Sequence, residues 1–163
     1  MKIGVVSDTH SRSLPKQLID ELKNVELIVH AGDFCSAEDL RMLKKINEVR
    51  AVFGNMDDLE LRRMLPESDV FEMGGVKIGL CHGKGSPAAS LEFVKNRFKN
   101  DKVDVVIYGH SHKSFNEVMD NVLYFNPGSP TDKIRGPHCS YGILEINKGK
   151  VSGKIIKIKD QNG

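Results

Sequence analysis

From Lys2 to Ser7 the chain alternates and is rich in β-branched residues, which predicts a strand; it then breaks into Asp8-Thr9-His10 and the polar Ser11-Arg12-Ser13. Leu14, Leu18 and Leu22 recur at helical spacing, with Pro15 near the start, and predict a short amphipathic helix over Pro15 to Leu22. A second strand is predicted from Glu26 to His30, leading into Ala31-Gly32-Asp33-Phe34. A second helix follows with Leu40, Leu43 and Ile46 as its apolar stripe, Ser36 as its N-cap and Asp39 three residues on. Val49 to Phe53 reads as a third strand closing on Gly54-Asn55 and Met56-Asp57-Asp58. Strand, turn and helix repeated in this way imply parallel pairing, because antiparallel neighbours would need only short turns.

After a short helical stretch around Leu59 to Leu65 the pattern shifts to hairpins. Val70 to Met73 and Val76 to Leu80 flank Gly74-Gly75, a strong two-residue hairpin signal. Pro87 to Phe98 predicts a further helix, with Leu91, Val94 and Phe98 on one face. Val105-Val106-Ile107 is a short buried strand running into Tyr108-Gly109-His110-Ser111-His112, where Gly109 is expected to supply the backbone angles of a sharp turn. Ser114 to Met119 and Val122 to Phe125 flank Asp120-Asn121, and Ser140 to Ile146 and Lys150 to Ile158 flank Asn147-Lys148-Gly149. The fold class is therefore α/β, with two mixed β-sheets packed face to face and helices outside, in a single domain over residues 1–163. Lys154, Lys157 and Lys159 read as the solvent face of an edge strand guarded against pairing with another molecule.

Composition narrows the partners. With 39% hydrophobic and 28% charged residues the chain is ordinary for a soluble globular protein, and its net charge of +2 comes from lysines spread without interleaved aromatics, so no nucleic-acid groove is expected. The apolar run before Asp8 is too short for a signal peptide, and no window has membrane-spanning length. Cys35, Cys81 and Cys139 are odd in number and form no C-x-x-C pair, which argues against disulfides and a cysteine zinc site and makes a cytoplasmic location the expectation.

Asp8, His10, Asp33, Asn55, His82, His110 and His112 all fall at predicted strand ends, where open α/β sheets bind ligands. Carboxylate, amide oxygen and imidazole without thiolate suit manganese, iron, cobalt, nickel or zinc better than calcium or structural zinc. Seven ligands are too many for one tetrahedral ion and suit two; with Asp33 shared, each ion has four protein ligands and keeps open positions for water and substrate. Two cations about 3.5 to 4 Å apart can bind a phosphoryl oxygen and lower the pKa of a water between them, which then attacks phosphorus in line as hydroxide. No Gly-x-Ser-x-Gly elbow offers a competing nucleophile. Cys81 alternates away from His82 and is expected to pack, and His30 to take a hydrogen-bonded role orienting a neighbouring ligand. His138 reads as a loop residue; Gly83-Lys84-Gly85 could cradle phosphate, but without the full P-loop spacing a flexible lip is favoured; and Asn126-Pro127-Gly128-Ser129 reads as a turn, with or without amides facing the substrate. Asp57 and Asp58 could orient the ligand loop or cap the helix that follows, and the cap is favoured.

Asp8-x-His10, Gly32-Asp33, Gly54-Asn55, His82 and Gly109-His110-x-His112 match, in order, the five motifs of the calcineurin-like metallophosphoesterases, and the chain resembles that superfamily from Asp8 to His112. The small size, the absence of insertions and the Asn126–Ser129 segment resemble its short bacterial and archaeal phosphodiesterase branch. The resemblance implies a four-layer αββα sandwich and a dinuclear centre. In it Asp8, His10 and His112 would hold one divalent ion, Asn55, His82 and His110 the other, and Asp33 would bridge them. Manganese is the first choice, with nickel, cobalt, iron and zinc as alternatives. The expected substrate is a small phosphate ester, foremost a phosphodiester, with cyclic nucleotides, short oligonucleotides and phosphomonoesters left open; no membrane partner is expected, and a homo-oligomer is compatible with the sequence. Many members follow the ligand asparagine with a histidine resembling a general acid, whereas this chain has Met56, whose thioether cannot donate a proton. The same fold also resembles a retromer subunit with a depleted metal pocket that serves as a protein-binding scaffold. Competent side chains at all seven positions here favour the hydrolase.

Overall fold

The computed structural model describes residues 1–159. The alternating start of the chain becomes β1 (Lys2–Val6), followed by α1 (Lys16–Leu22), β2 (Leu27–His30), α2 (Ala37–Ile46), β3 (Val49–Ala51) and α3 (Leu59–Met64). Then come β4 (Ser68–Met73), β5 (Val76–Cys81), α4 (Pro87–Phe98), β6 (Val105–Ile107), β7 (Phe115–Met119), β8 (Val122–Asn126), β9 (Ser140–Asn147) and β10 (Lys150–Lys157). One sheet has the order β10-β9-β1-β2-β3 and the other β4-β5-β6-β8-β7. Both are mixed: β1, β2 and β3 run parallel while β9 pairs antiparallel to β1, and β5, β6 and β8 run parallel between antiparallel β4 and β7.

The two sheets face each other across a core in which Ile3, Val5 and Val29 of the first meet Ile78, Leu80, Ile107 and Phe125 of the second, all fully buried. Each such side chain contributes roughly 1.5 to 3 kcal/mol of transfer free energy. On the outer face of the first sheet α1 and α2 bury Leu18, Leu22, Leu40 and Leu43 against Val6 and Ile28. On the outer face of the second, α4 packs Val94 and Phe98 on Val106, Tyr108 and Cys81, the packing role expected of that cysteine. These layers make the αββα sandwich. β10 is an edge strand with Lys154 and Lys157 exposed, as the lysine pattern predicts.

Local departures have local causes. β3 ends at Ala51 rather than Phe53 because the Phe53 amide turns away to donate to the Pro66 carbonyl at 3.1 Å. Ser36 precedes α2, but its hydroxyl donates to Asp39 at 2.8 Å instead of capping a backbone amide. Asp39 also accepts from Ser11 at 2.6 Å, which ties α2 to the loop after β1. Asp58 does cap α3, accepting from the Leu61 amide at 2.9 Å. Among the described residues no helix is long and apolar enough to cross a membrane.

Candidate metal centre

The segments that leave β1, β2, β3, β5 and β6 converge, and there the backbone is strained. Asp8 (φ 57°), His10 (49°), Asp33 (61°), His110 (71°) and His112 (57°), five of the seven expected ligands, adopt left-handed conformations that side chains usually avoid. Strain of this kind costs of the order of 1 to 3 kcal/mol per residue and persists where surrounding structure over-determines it. Gly109, expected to absorb the turn, has no such φ; the turn angles fall on the histidines that follow it. A Cβ on Gly109 would overlap Ser7 Oγ and lie 2.7 Å from Asp8 Oδ2, so its role is to let the two loops approach. Gly54 likewise makes room for Asp33, whose Cγ a Cβ would meet at 2.9 Å.

Asp8 is fully buried. Its Oδ2 accepts from Ser7 Oγ at 2.7 Å and the His110 amide at 3.0 Å. Its Oδ1 has no hydrogen-bond partner and is the single buried side-chain polar atom in that state among the described residues. Around Oδ1 stand His112 Nε2 at 3.3 Å and the Nε2 atoms of His10 and His82, each at 3.9 Å. His10 Nε2 and His112 Nε2 are 3.2 Å apart. On the other side His82 Nε2 lies 3.2 Å from Asp33 Oδ2, 3.0 Å from Asn55 Oδ1 and 3.3 Å from His110 Nδ1, which itself lies 3.1 Å from Asn55 Oδ1. Asp33 Oδ1 accepts from the Met56 amide at 2.8 Å, leaving Oδ2 between His82 and His10, the latter at 3.9 Å.

The far ring atoms fix which nitrogen faces inward. His82 Nδ1 donates to the Ala31 carbonyl at 2.8 Å and His112 Nδ1 to Asp132 Oδ2 at 2.5 Å, so both leave Nε2 as the inward lone pair in the neutral ring. His10 Nδ1 faces Cys35 Sγ at 3.4 Å. Four imidazole nitrogens, an amide oxygen and two carboxylates thus converge without a lysine or arginine among them. Lone pairs so arranged repel unless a cation or protons intervene. In the metal-free chain burial disfavours charge on His82, but its hydrogen bond to Asp33 and the charges of Asp8 and Asp33 outweigh burial and raise its pKa to about 9. His112 is also raised, by Asp8 and Asp132 against burial, whereas burial holds His10 and His110 below their ordinary value. The donor set fits divalent ions, whose charge would offset the carboxylates that raise His82 and His112.

All seven predicted residues meet here, and two carboxylate-histidine groups stand close enough to hold ions: Asp8 with His10 and His112, and Asp8 with Asp33 and His82. Asp8 is therefore as central as Asp33. His30 is hydrogen-bonded, as expected, but to the Gly32 amide and Thr9 rather than to one of the seven side chains. Fully buried and stacked 3.5 Å from Phe34, it accepts from the Gly32 amide and faces Thr9 Oγ1, each at 3.1 Å, and burial drives its pKa to about 3. Asp57 corrects an expectation: it does not cap α3. Its carboxylate accepts from the amides of Asp33 (3.0 Å), Gly54 (2.7 Å) and Cys35 (2.7 Å), joining the two loops that carry Asp33 and Asn55.

The sequence reading missed Asp132, which holds His112. Asp132 is itself fixed by the amides of Ile134 at 2.8 Å and Arg135 at 3.2 Å, and its own amide donates to Ser129 Oγ at 3.0 Å. Ser129 Oγ in turn donates to the Asp8 carbonyl at 2.8 Å. Asn126 Nδ2 reaches the Gly109 carbonyl at 3.0 Å, so the Asn126–Ser129 turn buttresses both ligand loops. The nearest signal for Asp132 in the sequence is its position three residues after that turn. His138 belongs to neither group. Two cavities flank the centre, one of about 590 Å³ beside His82 and one of about 520 Å³ beside His10 and His112, and Asn55 and His110 line both.

An αββα sandwich with paired carboxylate-histidine groups where its strand ends meet defines a metallophosphoesterase. The calcineurin-like phosphoesterase superfamily domain matches residues 1–149, and the chain belongs to that superfamily. A probable metallophosphoesterase of Methanocaldococcus jannaschii is 38% identical over 98% of this chain and 83% of its own length. A phosphodiesterase of the same organism is 30% identical, over 91% of this chain and 95% of its own. Among solved structures, a single mutant of Vps29 from Entamoeba histolytica superposes with a TM-score of 0.78 at 27% identity, over 98% of this chain and 100% of that one.

Proposed function

We propose that the chain is a divalent-metal-dependent phosphodiesterase acting on small phosphodiesters at a dinuclear centre. The observation that carries this is the buried, unpartnered Asp8 Oδ1 among three inward Nε2 atoms, an arrangement that makes physical sense around cations. Asp8, His10 and His112 would hold one ion and Asn55, His82 and His110 the other, with Asp33 shared by both. Manganese is the first choice on donor type. When bound, two such ions would lower the pKa of water between them and neutralise charge gathering on the phosphoryl group.

The chain's own residues do the rest. Asp132 and the Ala31 carbonyl hold His112 and His82 with Nε2 inward, and Asp57 locks the loops that present Asp33 and Asn55. Asn55 and His110 line both cavities, so a phosphoryl group seated between them could send one ester arm into each. Met56 is 57% exposed at the edge of the second cavity; its thioether offers no proton to a departing oxygen.

The test is hydrolysis of a series of phosphodiesters. Bis(4-nitrophenyl) phosphate is expected to be cleaved with manganese, cleavage to stop on chelation, and simple alkyl diesters to react more slowly by about a hundredfold or more, the usual contribution of a general acid. The likeness to Vps29 leaves open a second reading, a noncatalytic protein-binding scaffold of the same fold. Failure of every divalent ion to give phosphodiesterase or phosphatase activity, together with absence of bound metal, would decide for it.

A further inference from the structure

The two cavities beside the centre differ in charge. The one beside His10 balances Arg12 and Arg135 with Asp33 and Asp132, whereas the one beside His82 sets Arg62, Lys84 and Arg97 against Glu67 alone. Its cations are also placed. Arg62 is held against the Asn55 loop by the Asp57 and Asn55 carbonyls, each at 2.9 Å; Arg97 donates to Ser68 Oγ at 2.6 Å and pairs with Asp101 at 3.5 Å, so Lys84 and Arg62 carry the excess charge. Lys84 lies on the lip between β5 and α4, where Gly83 (φ 103°) and Gly85 (φ 78°) turn the chain around it. Its Nζ stands 5.0 Å from the centroid of the Phe93 ring, and among the described residues no carboxylate pairs with it or with Arg62. The Phe93 ring gives the exposed Lys84 a preferred position over the cavity wall, where its charge faces an incoming anion.

We propose that this cavity is the subsite for one ester arm of the substrate, and that it selects an arm carrying a second anionic group, with Lys84 as the specificity-determining residue and Arg62 and Arg97 in support. The proposal rests on the phosphodiesterase reading. The substrate class is then a phosphodiester whose phosphoryl group sits at Asn55 and His110 while a further anion reaches toward Lys84. The glycine-flanked lysine, for which the sequence favours a flexible lip over a phosphate cradle, becomes the part of the site that distinguishes substrates.

The experiment compares two diesters with the same 4-nitrophenyl leaving group, one with a neutral propyl second arm and one with a 3-sulfopropyl arm, which is anionic and not itself hydrolysable. The manganese-loaded protein is expected to favour the sulfopropyl ester in kcat/KM by about tenfold, and Lys84→Met to erase most of that ratio, as loss of one charge-assisted contact predicts. Lys84 is exposed, so the variant should fold, and circular dichroism checks this. A ratio near one in the parent, or one unchanged in Lys84→Met, overturns the proposal. Cleavage of neither ester with any divalent ion refutes the phosphodiesterase reading instead. Calorimetric affinities of the metal-loaded protein then carry the test: equal binding of the two esters overturns the subsite, and a preference lost in Lys84→Met upholds it.

Discussion

On one side of the centre Asp8 is fully buried and His112 nearly so, with the His112 ring clamped by Asp132 at 2.5 Å and that carboxylate fixed by two backbone amides. On the other side His82 is equally enclosed and held by the Ala31 carbonyl, but Asn55 is exposed and His110, like His10, half-buried, and the side-chain contacts of Asn55 and His110 run to one another and to His82. The donor types are similar, but the scaffolding behind them is not. Ligands held before an ion arrives lose less freedom when it binds, so the Asp8 side should take its ion more tightly and the Asn55 side should be the adaptable one. The adaptable side also borders the cationic cavity, which places the looser ligands next to the part of the site that meets the substrate.

The largest expected effect comes from the carboxylates shared by both sides. Asp33→Asn should remove both ions and all activity above background, whereas His82→Ala should lose mainly one ion; metal content by elemental analysis checks this. Asp8→Asn sharpens the comparison, because Asp8 Oδ1 is also within 3.9 Å of histidines on both sides. If Asp8→Asn strips both ions while Asp33→Asn spares one, the bridge is Asp8. A smaller effect is expected for Asp132→Asn, a fall of roughly 10- to 100-fold in affinity confined to the tighter ion, as for other residues that orient a metal-binding histidine. Equal weakening of both ions in that variant would break the distinction between the two sides.

Smaller still is the dependence on pH. His82 is raised to about 9 in the metal-free chain and must give up its proton to a metal, so affinity should rise with pH toward that value, with proton release at pH 7 measurable by calorimetry in buffers of different ionisation enthalpy. The same raised pKa stabilises the metal-free fold fully below the ordinary histidine value of 6.5, and this contribution is lost as pH rises through about 9.

The seven converging residues were legible because each stands directly behind a β-branched run, and the run fixes where the strand ends. The four layers followed from the same alternation, since Ile3, Val5, Ile78 and Leu80 must all face one core. What supports the ligands was less legible. Asp132 meets His112 across 20 residues that include the whole β7–β8 hairpin, and no periodicity marks a contact between the turns at its two ends. Asp57 looks like a helix cap by position, yet its oxygens are taken by amides of the Asp33 loop and the Gly54 turn, a demand that exists only once those loops have been folded together. Gly109 misled in the opposite way: a glycine before two histidines suggests conformational freedom, but the constraint there is contact with Ser7.

The proposal of a dinuclear centre is tested most directly by titrating the metal-free protein with manganese in a calorimeter and counting ions per chain. The account predicts two binding events of unequal affinity, the tighter one weakened by Asp132→Asn. Saturation at a single ion per chain would contradict it.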